Sequence, residues 1–185
     1  MVSERQRAKK KWFPIVGKGE FDKIKLGESH VNSAKDLVGK HLKINLMVLT
    51  NDPKKQSASL MFKVTSVEGD TGVAEIIGYQ MSTSHVRRVV RKAIRRIDDS
   101  FTAQSIDNVT FTIKPLLITR HSTNKGTASL LRKRAKEVIS QSFQKMKSDE
   151  VFLQVISNRL QMDLKSDLKK IYPIAVSEIR LLQRA

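Results

Sequence analysis

Arg87, Arg88, Arg91, Lys92, Arg95 and Arg96 place six cations in ten consecutive positions. The chemistry open to such a run is charge neutralisation rather than bond-breaking. A guanidinium presents a planar fork of donors that matches phosphate oxygens, and an ammonium acts as a compact point charge. No acid stands among the six; the first is Asp98. A solvated helix face usually intersperses acids at i±4, worth about 0.2–0.5 kcal/mol per pair. Their absence points to a polyanion as the missing counter-charge. A membrane surface fits less well, because an interfacial helix sets Trp, Phe or Leu against its basic face, whereas the apolar residues here are Val86, Val89, Val90, Ala93, Ile94 and Ile97.

Two further segments carry the same chemistry. Arg5, Arg7, Lys9, Lys10 and Lys11 lie among polar residues without periodicity and read as a basic N-terminal arm over 1–11 that orders on a polyanion. Arg120 opens a polar loop that reads equally as a backbone-phosphate cradle or a connector, and beyond it stand Lys125, Arg132, Lys133, Arg134 and Lys136. Formal net charge is +17 over 185 residues. Residues 1–25 carry +5, 82–97 carry +6 and 114–147 carry +8, while 26–81 sum to zero. Clustering of this kind describes partners, not fold.

Catalytic constellations do not emerge. His30, His41, His85 and His121 are scattered, and the adjacent acidic pair Asp98-Asp99 reads as a helix boundary. No spacing meets the first geometric tests for a nucleophile, base or metal set. There is no cysteine, which removes disulfides and thiolate metal sites and fits a reducing compartment. No apolar run approaches a membrane span, and no apolar stretch follows the basic N-terminus as a secretory signal would require. Binding, with no cofactor and no metal, is the expectation.

The elements that must position these cations follow from periodicity. Val86, Val89, Val90, Ala93, Ile94 and Ile97 recur at helical spacing, predicting one basic helix over 82–98, with Ser82, Thr83 and Ser84 available to cap it. Leu42, Ile44, Leu46 and Val48 alternate, predicting a half-buried strand that Asn51-Asp52-Pro53 breaks. Leu60, Phe62 and Val64 predict a second strand, Glu68-Gly69-Asp70 its turn, and 73–78 a third. Val109, Phe111 and Ile113 predict another, which Lys114-Pro115 should turn into an edge or a bulge. A second long helix is expected over 127–147, short helices over 150–160 and 163–171, and a last strand over 174–182. Cations crowd the first half of the 127–147 helix, against its dipole, at a cost of about 0.3–1 kcal/mol each when exposed. Trp12-Phe13-Pro14 reads as an aromatic anchor for the arm in preference to a base-stacking element. The sum is an α+β class chain: a single domain over 12–185 behind the arm, with a hairpin-rich antiparallel sheet as scaffold.

Taken in order, these segments resemble the archaeal and eukaryotic small-subunit ribosomal protein family 3Ae, also called 1e. Lys11-Trp12-Phe13 is similar to its Lys-Trp-Tyr element, and Val38-Gly39-Lys40 with Thr50-Asn51-Asp52 to its Gly-Arg, strand, Asp-rich segment. Gly78 to Ser82 and Val90 to Asp98 resemble its central basic helix. Lys170-Ile171-Tyr172-Pro173-Ile174 and Glu178-Ile179-Arg180 resemble its closing motifs. Thr83 departs from the family's usual Arg, and the long charged C-terminal extension of eukaryotic members does not follow Ala185, which suits an archaeal-type member. The resemblance implies a β-barrel-like antiparallel core with packed helices and a cytoplasmic, ribosomal location. It implies small-subunit rRNA and neighbouring platform proteins as partners, mRNA near its exit as a further contact, and no membrane. The residues expected to meet RNA are Lys9, Lys10, Lys11, Arg87, Arg88, Arg91, Lys92, Arg95, Arg96, Arg120, Lys125, Arg132, Lys133, Arg134 and Lys136. The competing readings are a free RNA- or DNA-binding factor of chaperone or nucleoid type, and an RNA-processing enzyme.

Overall fold

The computed structural model describes residues 10–22, 24–90 and 94–184. Among them are nine strands and five α-helices: β1 Lys11–Gly17, β2 Lys25–Val31, β3 His41–Asn45, α1 Leu46–Thr50, β4 Ala58–Glu68, β5 Thr71–Met81, α2 Thr83–Val89, β6 Arg96–Asp98, β7 Phe101–Gln104, β8 Thr110–Thr119, α3 Lys125–Phe143, α4 Ser148–Ile156, α5 Arg159–Leu168 and β9 Ile174–Arg184.

β5 organises the sheet. The β4–β5 hairpin turns at Gly69, whose φ of +60° suits a residue without Cβ. Along its other edge β5 serves two partners. Gly72–Ala74 run parallel to Ile15–Gly17 of β1, and Gly78–Gln80 pair antiparallel with Leu181–Gln183 of β9. Gly78 permits the close approach, since a Cβ there would lie 3.1 Å from the Leu182 carbonyl oxygen. The sheet is therefore mixed, with one parallel pairing among antiparallel ones. Lys40, just before β3, donates from Nζ to Ser29 Oγ of β2 at 2.8 Å, but no ladder joins the two strands. Among the described residues the sheet is not closed into a barrel.

The alternating residues Leu60, Phe62 and Val64 are wholly buried, with Ile15 and Ala74. α3 packs against β7 and α5 against β9, and Phe111 of β8 meets Phe143 of α3 and Phe152 of α4 edge-on at centroid distances of 5.7 and 5.6 Å. A smaller cluster forms elsewhere: Val86 of α2 packs with Met81, Leu116 and Ile118, and Val89, Val90, Ile94 and Val176 surround it. The second half of β8, Leu116–Ile118, is thus buried on both faces, which is why it runs apolar where Thr110–Lys114 alternates.

Three expectations about elements need correction. The basic helix does not span 82–98. α2 begins under a Ser82 cap and stops at Val89, Val90 adopts an extended backbone, and Arg96–Asp98 form β6 against Leu116–Ile118. β-branched residues and like charges at i,i+4 weaken a helix here, while β6 gains a ladder and delivers Ile97 to the main core. The apolar stripe is real, but a short helix and an edge strand share it. Arg91, Lys92 and Ala93 lie outside the described residues. The strand expected through Val48 ends at Asn45, whose Oδ1 accepts the Met47 N–H at 2.9 Å and starts α1. Leu46 is then buried and Val48 is 64% exposed. The two late helices begin earlier than expected, at Ser148 and Arg159.

Pro115 produces the expected bulge, and the extra residue sits on its partner. Lys114 pairs with Leu181 and Pro115 with Ile179, so Arg180 is left over. A second register shift leaves Ala175 over, and its carbonyl accepts from Lys165 Nζ at 2.6 Å.

Candidate nucleic-acid interface

α2 presents two sides to solvent, and each borders a basic concavity. Thr83, Val86 and Arg87 face one, of about 360 Å³, that Arg96 from β6, Lys114 from β8 and Arg180 from β9 complete together with Gln80 and Leu181. No carboxylate lines it. Four elements distant in sequence thus converge four cations on one depression. The β8–β9 bulge explains Arg180, because an extra residue in a ladder re-aims its side chain. Arg96 also pairs with Asp98, so its charge is shared. Arg87, Lys114 and Arg180 have no ion pair among the described residues.

Ser82, His85 and Arg88 face the other concavity, of about 530 Å³, with Lys54 and the polar Asn45, Gln56 and Ser57. His85 meets Glu178 at 3.3 Å. Deeper in, Tyr79 is almost wholly buried, and that burial, with Glu178 second, pushes its phenol far above the usual range. Tyr79 is therefore neutral and structural at any working pH. Arg95 is exposed while its backbone is tied to Thr119 in both directions: its N–H donates to Thr119 Oγ1 at 3.1 Å and its carbonyl accepts the Thr119 N–H at 3.1 Å.

The cations of α3 diverge. Asn124 caps the helix, its Oδ1 accepting the Thr127 N–H at 2.8 Å, so Lys125 projects at the first turn. Arg132 and Lys136 lean toward β6 and β7: Arg132 Nε donates to the Asp98 carbonyl at 3.3 Å, and Lys136 Nζ lies 5.9 Å from the Phe101 ring centroid. Lys133 is exposed. Arg134 turns to α5, where its Nε meets Asp167 at 2.7 Å, with Glu137 3.4 Å from its Nη1. The hydrogen bond from Arg134 holds the Asp167 carboxyl below the usual carboxylate range. Arg134 thus spends its charge inside the protein. Arg120 joins Lys165 and Lys169 around a third concavity of about 330 Å³. At the other end of the molecule Lys10 and Lys11 precede and open β1, and Lys9 lies outside the described residues.

Lys54, Lys114, Lys165, Lys169 and Arg180 were not among the expected binding residues. Lys114 was legible in part, since it takes the polar position after Phe111 and Ile113. Arg180 was not, because its placement needs the partner strand's proline. Trp12 reverses its expectation: Phe13 is the buried anchor, and Trp12 is 66% exposed. Among the described residues no cluster of three His, Asp or Glu side chains could hold a metal ion, and no helix is long and apolar enough to cross a membrane.

Three concavities lined by cations and by no carboxylate give the surface a charge arrangement complementary to a polyanion. The sequence model of the Ribosomal S3Ae family matches residues 3–183. Proteins named small ribosomal subunit protein eS1 are similar over most of the chain. That of Methanothrix thermoacetophila is 28% identical across 95% of this chain and 83% of its own length. That of Nanoarchaeum equitans is 27% identical across 93% and 87%, and one from Saccharolobus islandicus is 26% identical across 92% and 82%. The chain belongs to the ribosomal S3Ae family, a family of structural components rather than enzymes.

Proposed function

We propose that the protein is a structural constituent of the small ribosomal subunit that binds small-subunit rRNA by neutralising backbone phosphates. The observation that supports this best is the convergence of Arg87, Arg96, Lys114 and Arg180 on a depression without a carboxylate. Folded RNA displays phosphates and 2′-hydroxyls more readily than base edges in its deep groove, and such a surface suits it. Arg88 with Lys54, Arg120 with Lys165 and Lys169, and the exposed cations Lys125, Arg132, Lys133 and Lys136 extend the contact. Arg95, Arg91, Lys92 and the arm through Lys9, Lys10 and Lys11 add to it. Arg134 supports the fold that presents them. A position in the platform region, neighbouring platform proteins, and mRNA near its exit are further parts of the proposal, carried over from the family.

Sedimentation of small subunits after a high-salt wash tests the reading. A constituent stays with the particle, and a free RNA- or DNA-binding factor washes off. Crosslinking on the particle should then join the α2 segment and β8–β9 to rRNA; crosslinks confined to other faces would overturn the assignment of this surface.

A further inference from the structure

Trp12 is the chain's only tryptophan, and its position on β1 is unusual for so large an apolar side chain. Phe13, Ile15 and Val31 turn inward from the β1–β2 hairpin and are buried, while Trp12 remains 66% exposed on the opposite face. The register sets it across from His30, and the two rings stack with centroids 4.9 Å apart and planes inclined by 26°. The imidazole supports one face of the indole and leaves the other open. That arrangement restrains the ring before any ligand arrives, which reduces the ordering cost of binding.

The surroundings indicate what the open face would accept. Next along this face are Pro14 and Glu28, and Glu28 is engaged by Lys25 at 2.5 Å. Ile24, the hairpin's other exposed apolar residue, lies at its far end, beyond the Val16–Lys25 pairing. An apolar protein surface would meet a single ring without an apolar rim. Lys10, exposed, stands two positions before the ring, whereas Lys11 lies across from Val31 and takes the side of the strand that Phe13 and Ile15 share. A flat π-surface with an exposed cation two positions before it in the chain matches a nucleobase with its phosphate.

We propose that Trp12, backed by His30, is a stacking platform for an unpaired nucleobase of RNA whose backbone passes Lys10. The proposal rests on the RNA-binding reading above and deepens it: the concavities meet phosphates, whereas this hairpin selects an unstacked nucleotide. Base–aromatic stacking is sequence-tolerant because every base has a π-face, so the platform reads strandedness rather than sequence.

The single tryptophan makes the test direct. The full chain is titrated with an unstructured RNA of about a dozen nucleotides, the same strand with abasic sugars, and a duplex of equal phosphate number, while indole fluorescence is followed. Quenching by the unpaired strand, and little by the other two, is expected. Trp12→Leu should weaken binding of the unpaired strand between about fivefold and a hundredfold, read by anisotropy of labelled RNA, with duplex affinity and salt dependence unchanged. His30→Ala keeps the fluorophore and should reduce both quenching and affinity. Equal quenching by the abasic strand, or Trp12→Leu binding within about twofold of the parent, overturns the platform. If Arg87→Gln with Arg180→Gln weakens binding and Trp12→Leu does not, the platform fails alone. If none of these variants alters a salt-dependent association, both readings fail.

Discussion

Replacing Arg87 and Arg180 together by Gln removes two cations from the depression beside α2 and keeps most of each stem. Arg87 is exposed, Arg180 is half-buried, and neither forms an ion pair among the described residues. Changes away from cores, caps and networks usually stay within about 0.5 kcal/mol, so the melting temperature of the free protein should hardly move. Binding should respond differently. If each Arg meets one phosphate, each releases about 0.9 of a counterion from duplex RNA, taking the duplex DNA coefficient, and the slope of log K against log salt should fall by about 1.8. Extrapolated from a common value near 1 M salt, that slope difference gives about 30-fold weaker binding at 0.15 M and about ninefold at 0.3 M. The assay is a series of binding isotherms on a small-subunit rRNA fragment between 0.1 and 0.5 M salt (order-of-magnitude range), beside thermal melts of both proteins. Curves that converge with rising salt support phosphate neutralisation. A uniform loss at every salt concentration would mean the two Arg contact something other than phosphate. A melting temperature many degrees lower would mean they hold the fold.

The other expectations concern the scaffold. Phe62→Ala should cost about 3–5 kcal/mol in urea unfolding, because the ring is wholly buried; Ile44→Ala, only half-buried, should cost distinctly less. Leu116→Ala should cost about 2–5 kcal/mol and also weaken RNA binding, since Val86 of α2 rests in the same cluster; normal binding by a folded variant would show that α2 is held some other way. Arg134→Gln should lower stability with no change in salt slope. The Asp167 carboxyl is held below its ordinary value of 3.8 by the Arg134 hydrogen bond, so its contribution is present above that value and is lost as pH falls through the depressed one. The melting gap between parent and variant should therefore be present near neutrality and shrink below about pH 4; a gap that persists into strong acid would assign Arg134 a packing role.

Much of the scaffold is written in local sequence. Alternation at Leu60, Phe62 and Val64, the Glu68-Gly69-Asp70 turn and the closing strand are local signals, because a period of two and a glycine able to take positive φ are properties of neighbours in the chain. The basic character of the interface was equally legible, since charge needs no fold to be counted. Tertiary structure decided the rest. Whether 82–98 stays helical depended on an empty edge of β8, where Leu116–Ile118 offered Arg96–Asp98 a ladder. Whether Lys114 and Arg180 face the same depression as Arg87 depended on Pro115 forcing a bulge into a strand more than 60 residues away. Arg134 could not be told from Arg132 on one helix until α5 brought Asp167 to it. Trp12 followed the same rule, because only pairing with β2 turned Phe13 inward and left the indole on His30 in solvent. Local sequence sets which backbone states are cheap and how much charge is present. Where each charge ends depends on pairings between distant segments, whose energies no window along the chain contains.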